Sequence, residues 1–256
     1  MFYTNTKKYS ERDGNVAYLD ASGLRRPFAM PKAQRLIAAV IVVVAIIIGY
    51  TIVDRTLLDS YRQAEAVRTS IESNLTREAS IESLPNMPSI MALDNEATLA
   101  AFTDAGVQAV DLTALNDSYD MMICKVPADM TPDETSALYA KGIGALDAVE
   151  ATKLLNGSWM LTADRENGTT VVRYVDFKTA DPQIAVQNAI AKEGFDAAAI
   201  TETGVDDSGN TYSLGTVETD NGTCIWKVSA LPFDDIYSIN GMPEGACYVG
   251  VRLTYA

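Results

Sequence analysis

The stretch YSLGTVETDNGTCIWKV, residues 212–228, decides what kind of fold this chain can form. Apolar and polar residues alternate over most of 212–217 and 224–228, and Asn221-Gly222 lies between the two runs. Alternation with a period of two is typical of a β-strand with one buried face. Asn-Gly between two such runs is the strongest short signal for a hairpin. The stretch therefore predicts two antiparallel strands joined by a tight turn.

A second stretch, WMLTADRENGTTVVRYVDF at residues 159–177, has the same organisation. Its strand-like runs flank Asn167-Gly168, which predicts a second hairpin. A further alternating run over residues 247–253 predicts one more strand. Several short strands joined by tight turns favour an antiparallel sheet with one face packed on a core.

Three segments carry helix-start signals, two before these strands and one between them, in which a capping residue precedes an apolar helical pattern. The capping positions are Asp94 or Asn95, Thr131 followed by Pro132, and Asp181 followed by Pro182. The second segment predicts one longer helix that ends near Asn156-Gly157. Strands and helices together predict an α+β body, an antiparallel sheet with helices on one face.

An internal repeat is suggested by the first and third helical segments. They stop at Gly106 and Gly194, and similar residues follow each glycine. The spacing between the repeated glycines differs from the spacing between the hairpins, so a duplication would need unequal insertions. Two interpretations stay open: one α+β domain over residues 94–256, or two related subdomains over residues 94–178 and 179–256.

Far upstream of these strands lies a run of eighteen uncharged residues, LIAAVIVVVAIIIGYTIV, which begins at Leu36 and ends at Val53. At about 1.5 Å per residue a helix of this length reaches about 27 Å, close to the hydrocarbon core of a bilayer. No similar run follows it. The run predicts a single transmembrane helix, and hence the lipid bilayer as a partner. Because no small-residue cleavage site follows closely, an uncleaved signal-anchor is favoured.

Charge predicts which side of the membrane the body occupies. Seven Lys and Arg residues and three acids precede the run, whereas thirteen basic and 31 acidic residues follow its start, which gives net charges of +4 and −18. Basic segments next to a span stay in the cytoplasm. We therefore expect a cytoplasmic tail over residues 1–35 and an extracytoplasmic body in the cell envelope.

Residues 54–93 are expected to connect the span to the body as a helical stalk and linker. Apolar residues recur every three or four positions from Leu57 to Leu75, which indicates an amphipathic helix, and Pro85 and Pro88 then favour an irregular linker. A solvated stalk is the simpler interpretation. Self-association as a homodimer is the alternative, since Ala45 and Gly49 in the span would allow two helices to approach closely.

Composition excludes several classes of function. The chain has no histidine, so Ser-His-Asp and Cys-His nucleophile arrangements and histidine-ligated metal sites are excluded. The strongly acidic body, with no basic stripe in its sequence, argues against nucleic acid as a partner. No cofactor motif is recognised. An enzyme would have to rely on carboxylate, Lys, Tyr, Ser or Cys chemistry.

The three cysteines occupy apolar positions of their strands. Cys124, Cys224 and Cys247 each alternate with apolar neighbours, which is typical of buried core thiols. An extracytoplasmic location also permits a disulfide, and joining Cys224 to Cys247 would connect two late strands. Both interpretations stay open.

Oxygen-bearing residues cluster in the loop around residues 206–210. Asp206, Asp207 and Asn210 are weak candidates for Ca²⁺ ligands, but the loop does not fit an EF-hand because its glycine position is wrong. Turn formation explains the same residues more simply.

The predicted function is a membrane-anchored binding or scaffolding protein of the cell envelope. Its partner would be an envelope protein or polymer, and its catalytic residues, if any, are not identified by the sequence. The competing class is a carboxylate-dependent envelope hydrolase. Two facing carboxylates about 5 to 9 Å apart in a deep cleft would favour the hydrolase.

Overall fold

A computed structural model describes residues 32–256, so residues 1–31 of the predicted tail lie outside the described part. The chain divides into two compact units, Met1–Gln63 and Ala64–Ala256. The first unit holds the predicted membrane segment, and the second holds the predicted body.

Helix α1 (Lys32–Val53) includes the whole of the predicted span. Its apolar side chains are exposed, and that of Ile46 is 64% accessible. Among the residues described, we find no helix that is both long and apolar enough to cross a membrane. The transmembrane span from Leu36 to Val53 therefore stays a prediction from the sequence. A π-helical turn at Asp54–Leu58 and helix α2 (Asp59–Leu75) follow α1 along the chain.

An eight-stranded antiparallel sheet forms the centre of the second unit. In chain order its strands are β1 (Ala109–Asp111), β2 (Met121–Lys125), β3 (Trp159–Asp164), β4 (Thr169–Asp176), β5 (Ile200–Val205), β6 (Thr211–Thr219), β7 (Gly222–Pro232) and β8 (Cys247–Tyr255). Across the sheet the order is β1-β2-β3-β4-β8-β7-β6-β5. The two predicted hairpins are β3–β4 and β6–β7. The predicted α+β class is confirmed.

Three of the helices of this unit begin at predicted capping residues, whereas the caps of two others, Asn86 and Asp147, were not predicted. In chain order the helices are α3 (Met87–Ile90), α4 (Asn95–Asp104), α5 (Pro132–Lys141), α6 (Ala148–Leu155) and α7 (Pro182–Glu193). Asp94 and Asp181 each accept a backbone hydrogen bond, and Thr131 forms a capping box with Glu134. The single long helix predicted after Thr131 is wrong, because Gly142 has a φ of +86° and ends α5.

One face of the sheet, here called the core face, packs against α3, α4 and α7. The ring of Phe102 from α4 lies 4.9 Å from that of Trp159, and Phe195, just after α7, stacks on Trp226 at the same distance. Burial of these large aromatic side chains supplies a major part of the favourable free energy of folding.

The opposite face of the sheet is covered at only one end. Val175 and Tyr248 alternate with residues of the core face and pack with Leu154 of α6 and with Phe233. The prediction that helices lie on one face is therefore too narrow. The break at Gly142 explains the difference. It divides the segment into the two short helices α5 and α6, and α6 folds over the second face. The remaining part of this face is here called the open face.

Residues 79–90, predicted as part of a linker, belong to the core instead. Met87 is fully buried and Ile90 and Leu84 are nearly so. Asn86 caps α3, whose second residue is Pro88, so the prolines here shape a short packed element rather than a flexible connection. The compact unit accordingly begins at Ala64, thirty residues before the predicted boundary at residue 94.

The absence of a side chain at Gly215 is required by the packing of Trp226. A methyl carbon at Gly215 would lie 2.4 Å from Cζ2 of Trp226 and 2.6 Å from the carbonyl oxygen of Ala199. We expect Gly215→Ala to lower the free energy of unfolding by about 1 to 3 kcal/mol, the usual cost of overpacking. Urea denaturation measures this change. Gly144→Ala is the matched control, because its nearest neighbour would be 3.8 Å away, and an equal loss in both variants would contradict the expectation.

Candidate functional site

Three basic side chains come together on the open face of the sheet. Lys227 of β7 lies directly opposite Arg252 of β8. On the other side of β8, Arg173 of β4 lies opposite Gly250, which places Arg173 diagonally next to Arg252. Neighbouring strands are about 4.8 Å apart, so the three positions span about 10 Å across β7, β8 and β4.

These three residues line a groove, here called the basic groove. Its main part has a volume of about 430 Å³ and also includes Ser229, Asp206 and Tyr248. A smaller hollow of about 230 Å³ adjoins it and shares Val171, Arg173 and Arg252 with it. The groove is open to solvent because no helix of the described chain covers this part of the sheet.

Few contacts within the described chain neutralise these cations. The Nη1 atom of Arg173 donates to Oγ1 of Thr162 at 3.0 Å, and no carboxylate in residues 32–256 lies within ion-pair distance of Arg173. The exposed Arg252 side chain forms neither a hydrogen bond nor an ion pair with any described residue. The Nζ atom of Lys227 lies 3.2 Å from Oδ2 of Asp206 and 4.6 Å from the centre of the Tyr212 ring. Two of the three charges are thus left unpaired.

The two carboxylates of the groove are held by their own turns. Asp206 accepts hydrogen bonds from Ser208 and Asn210 as well as from Lys227. Burial acts to raise the pKa of Asp206, but these hydrogen bonds outweigh it and the pKa lies below its ordinary value. Hydrogen bonds from Asn167 likewise lower the pKa of Asp164.

This arrangement does not resemble a glycosidase site. Such a site needs one carboxyl group with a raised pKa as the general acid, and neither Asp164 nor Asp206 has one. Burial raises the pKa of Glu193 to about 7, but Glu193 lies on α7 against the core face and does not line the basic groove.

The described cysteines are free, and the predicted disulfide is wrong. The register places Cys224 opposite Tyr255 and Cys247 opposite Pro232, at opposite ends of the β7–β8 pair. A disulfide needs Cα atoms within about 7 Å, and eight residues along a strand cover far more. Burial raises the pKa of Cys124 to about 12 and that of Cys247 to about 11, so neither is a thiolate at neutral pH.

The loop that carries the calcium candidates is explained by hydrogen bonds within it. Oδ1 of Asp206 accepts from the backbone nitrogens of Ser208 and Asn210, which closes the turn between β5 and β6. Within residues 32–256 no group of three or more acidic or cysteine side chains is arranged to hold a metal ion. Asp207 contributes no hydrogen bond to this turn.

The predicted helix contact at Ala45 and Gly49 lies on α1. Space is open around Gly49, since a methyl carbon there would meet no atom within 4 Å. The contact itself involves a second chain, and homodimerisation stays a prediction.

The sequence matches no protein-family model, and neither a curated protein nor a solved structure gives a significant match to it. The site therefore has to be interpreted from its own residues. The basic groove was not predicted from the sequence, because its basic residues do not form a contiguous stripe along the chain. The signal was present at the polar positions of three alternating strands, Arg173, Lys227 and Arg252, which come together only once the β4–β8 pairing is known.

Proposed function

We propose that the chain is a membrane-anchored binding protein whose body presents the basic groove to a component of the cell envelope. The observation that carries the proposal is the solvent-open groove with two unpaired arginines on an otherwise acidic body. Neither arginine has a carboxylate partner among the described residues, so both guanidinium groups are available to an anionic ligand.

The anchoring part of the proposal rests on the eighteen uncharged residues from Leu36 to Val53 and on the exposed apolar side chains of α1. Exposed apolar surface of this extent is unfavourable in water and is stabilised by lipid. The tail over residues 1–35 would then be cytoplasmic, because its basic residues resist translocation. Helix α2 would serve as the stalk that leads to the body.

We also propose that the body consists of two related halves. In each half a helix is followed by four antiparallel strands, α4 with β1–β4 and α7 with β5–β8, and the last strands of the two halves pair with each other. The basic groove then lies where the halves meet. This position supports a ligand-binding role, since junctions between structural units commonly form binding clefts.

Protease treatment of intact cells tests the anchoring and orientation. With a peptide tag on the N-terminus, protease added outside the cells is expected to remove residues 54–256 and to leave the tagged tail protected. Western blotting for the tag measures the protected fragment. Permeabilised cells are the control and should lose the tag as well.

A deletion variant tests whether the run from Leu36 to Val53 is the anchor. Deleting residues 36–53 should move the chain from the membrane fraction to the soluble fraction. A body that resists protease in intact cells, or a full-length chain that is soluble after lysis, would contradict the proposal.

A further inference from the structure

The basic groove is unusual because like charges lie directly opposite each other on one face of a sheet. Side chains in such a cross-strand pair have Cβ atoms about 5 Å apart, and diagonal neighbours lie about 7 to 8 Å apart. Lys227 and Arg252 form a direct pair, and Arg173 is the diagonal neighbour of Arg252. Like charges in these positions repel each other, so the unliganded groove concentrates positive charge.

The chain has ample acidic residues with which it could have neutralised this charge, since 31 of them follow residue 36. The acidic residues nearest the groove form hydrogen bonds with residues other than the two arginines. Asp164 accepts from Asn167, and Asp206 is bound by its own loop in addition to Lys227. No carboxylate of residues 32–256 pairs with Arg173 or Arg252, so an anion from outside the described chain can serve as their counterion.

The shape and chemistry of the groove restrict what that counterion can be. Guanidinium groups bind planar or tetrahedral oxyanions through two parallel hydrogen bonds, which an ammonium group cannot do. Gly250 lies directly opposite Arg173 and has no side chain, which leaves room above the sheet between the two arginines. Ser229 of β7 lies opposite Gly250 on the other side of β8 and adds a hydroxyl group to the lining of the groove.

We propose that the basic groove binds a ligand with two oxyanion groups, phosphate or carboxylate, about 5 to 10 Å apart. Arg252 is shared between the two groups, with Arg173 completing one subsite and Lys227, whose Nζ atom also contacts Asp206, completing the other. This inference rests on the proposed function, because it names the chemical class of the ligand that the body presents its groove to. A linear polymer with regularly spaced anionic groups has this chemistry, and so does a small dianion.

Isothermal titration calorimetry on the full-length chain in neutral detergent tests the proposal. Tripolyphosphate and tri-glutamate peptide are the probes. Comparing their affinities shows whether the groove prefers phosphate or carboxylate groups. At low ionic strength at least one probe is expected to bind one per chain, and added salt should weaken it because the contacts are between charges. Arg173→Gln with Arg252→Gln is expected to reduce affinity by about tenfold or more.

Further variants separate charge from geometry and folding. Arg252→Lys retains the charge but loses the bidentate contact, so its affinity should lie between those of the wild type and Arg252→Gln. Arg68→Gln on α2 is the matched control, since it removes an exposed arginine away from the groove and should leave affinity unchanged. Circular dichroism confirms that each variant is folded.

Three results would overturn the proposal: no binding of either probe to the folded wild-type chain, binding unaffected by the double arginine variant, or an equal loss in Arg68→Gln. The calorimetry does not depend on orientation in the membrane. Protease protection of the body would therefore contradict the anchoring without affecting the anion site, whereas absent binding would leave the anchoring result intact.

Discussion

Replacing Trp226 by alanine is expected to lower the free energy of unfolding of the second unit by about 3 to 5 kcal/mol. The Trp226 side chain is completely buried, stacks on Phe195 with ring planes 4° apart and donates from Nε1 to the carbonyl oxygen of Thr216 at 3.2 Å. Truncation leaves a cavity beneath Gly215, which has no side chain to fill it. Urea denaturation followed by circular dichroism measures the loss.

Val205→Ala is the control for this prediction. Val205 lies on β5 of the same sheet and is 67% exposed, so its truncation should change the free energy of unfolding by no more than about 0.5 kcal/mol. If Trp226→Ala and Val205→Ala have the same denaturation midpoint, the packing of α7 and Phe195 on β7 described above is wrong.

The second large effect concerns the buried carboxyl group of Glu193. This residue is 5% exposed, its Oε2 atom accepts from the backbone nitrogen of Met87 at 3.0 Å, and its Oε1 atom has no partner. Burial raises the pKa of Glu193 to about 7, although the bonds from Met87 and the charge of Lys192 oppose this. The folded state therefore holds a proton that the unfolded state releases near pH 4.5.

We expect the second unit to be more stable at pH 5 than at pH 8. Protonated Glu193 stabilises the folded state relative to the ionised form. This stabilisation is complete below the unfolded pKa and is lost as pH rises towards 7, because ionising the buried carboxyl group costs free energy. A shift of this size corresponds to about 3 kcal/mol. Denaturant titrations between pH 5 and pH 8 measure the slope.

Glu193→Gln should remove most of this pH dependence, because glutamine resembles the protonated acid. At pH 8 the variant should be more stable than the wild type. Glu166→Gln is the matched control, since Glu166 is exposed in the β3–β4 turn and should leave the slope unchanged. An unchanged slope in Glu193→Gln would show that another group titrates in this range.

Local signals predicted much of the fold. Asn167-Gly168 and Asn221-Gly222 identified their hairpins because tight turns depend on residues that are adjacent in sequence. Asp94, Thr131 and Asp181 identified helix starts for the same reason, since a cap acts on a backbone nitrogen two or three residues away.

Long-range pairing could not be predicted in this way. The β4–β8 pair joins residues more than seventy positions apart. The alternating pattern of a strand shows that it is a strand but does not show which strand it pairs with. The basic groove depends on that pair, so it was invisible before the register was known. The wrong disulfide between Cys224 and Cys247 has the same origin, because both cysteines face the core but lie at opposite ends of the β7–β8 pair.

The central position of β8 has a consequence for how the protein is made. β8 follows the other seven described strands along the chain, yet it lies between β4 and β7 in the middle of the sheet. During translation all the other strands leave the ribosome first, while the facing edges of β4 and β7 have no partner. Unpaired edges of this kind can capture strands from other nascent chains. The residues Cys247–Tyr255 therefore complete the sheet only after the other seven described strands have been made, and they close the interval in which misassembly can occur.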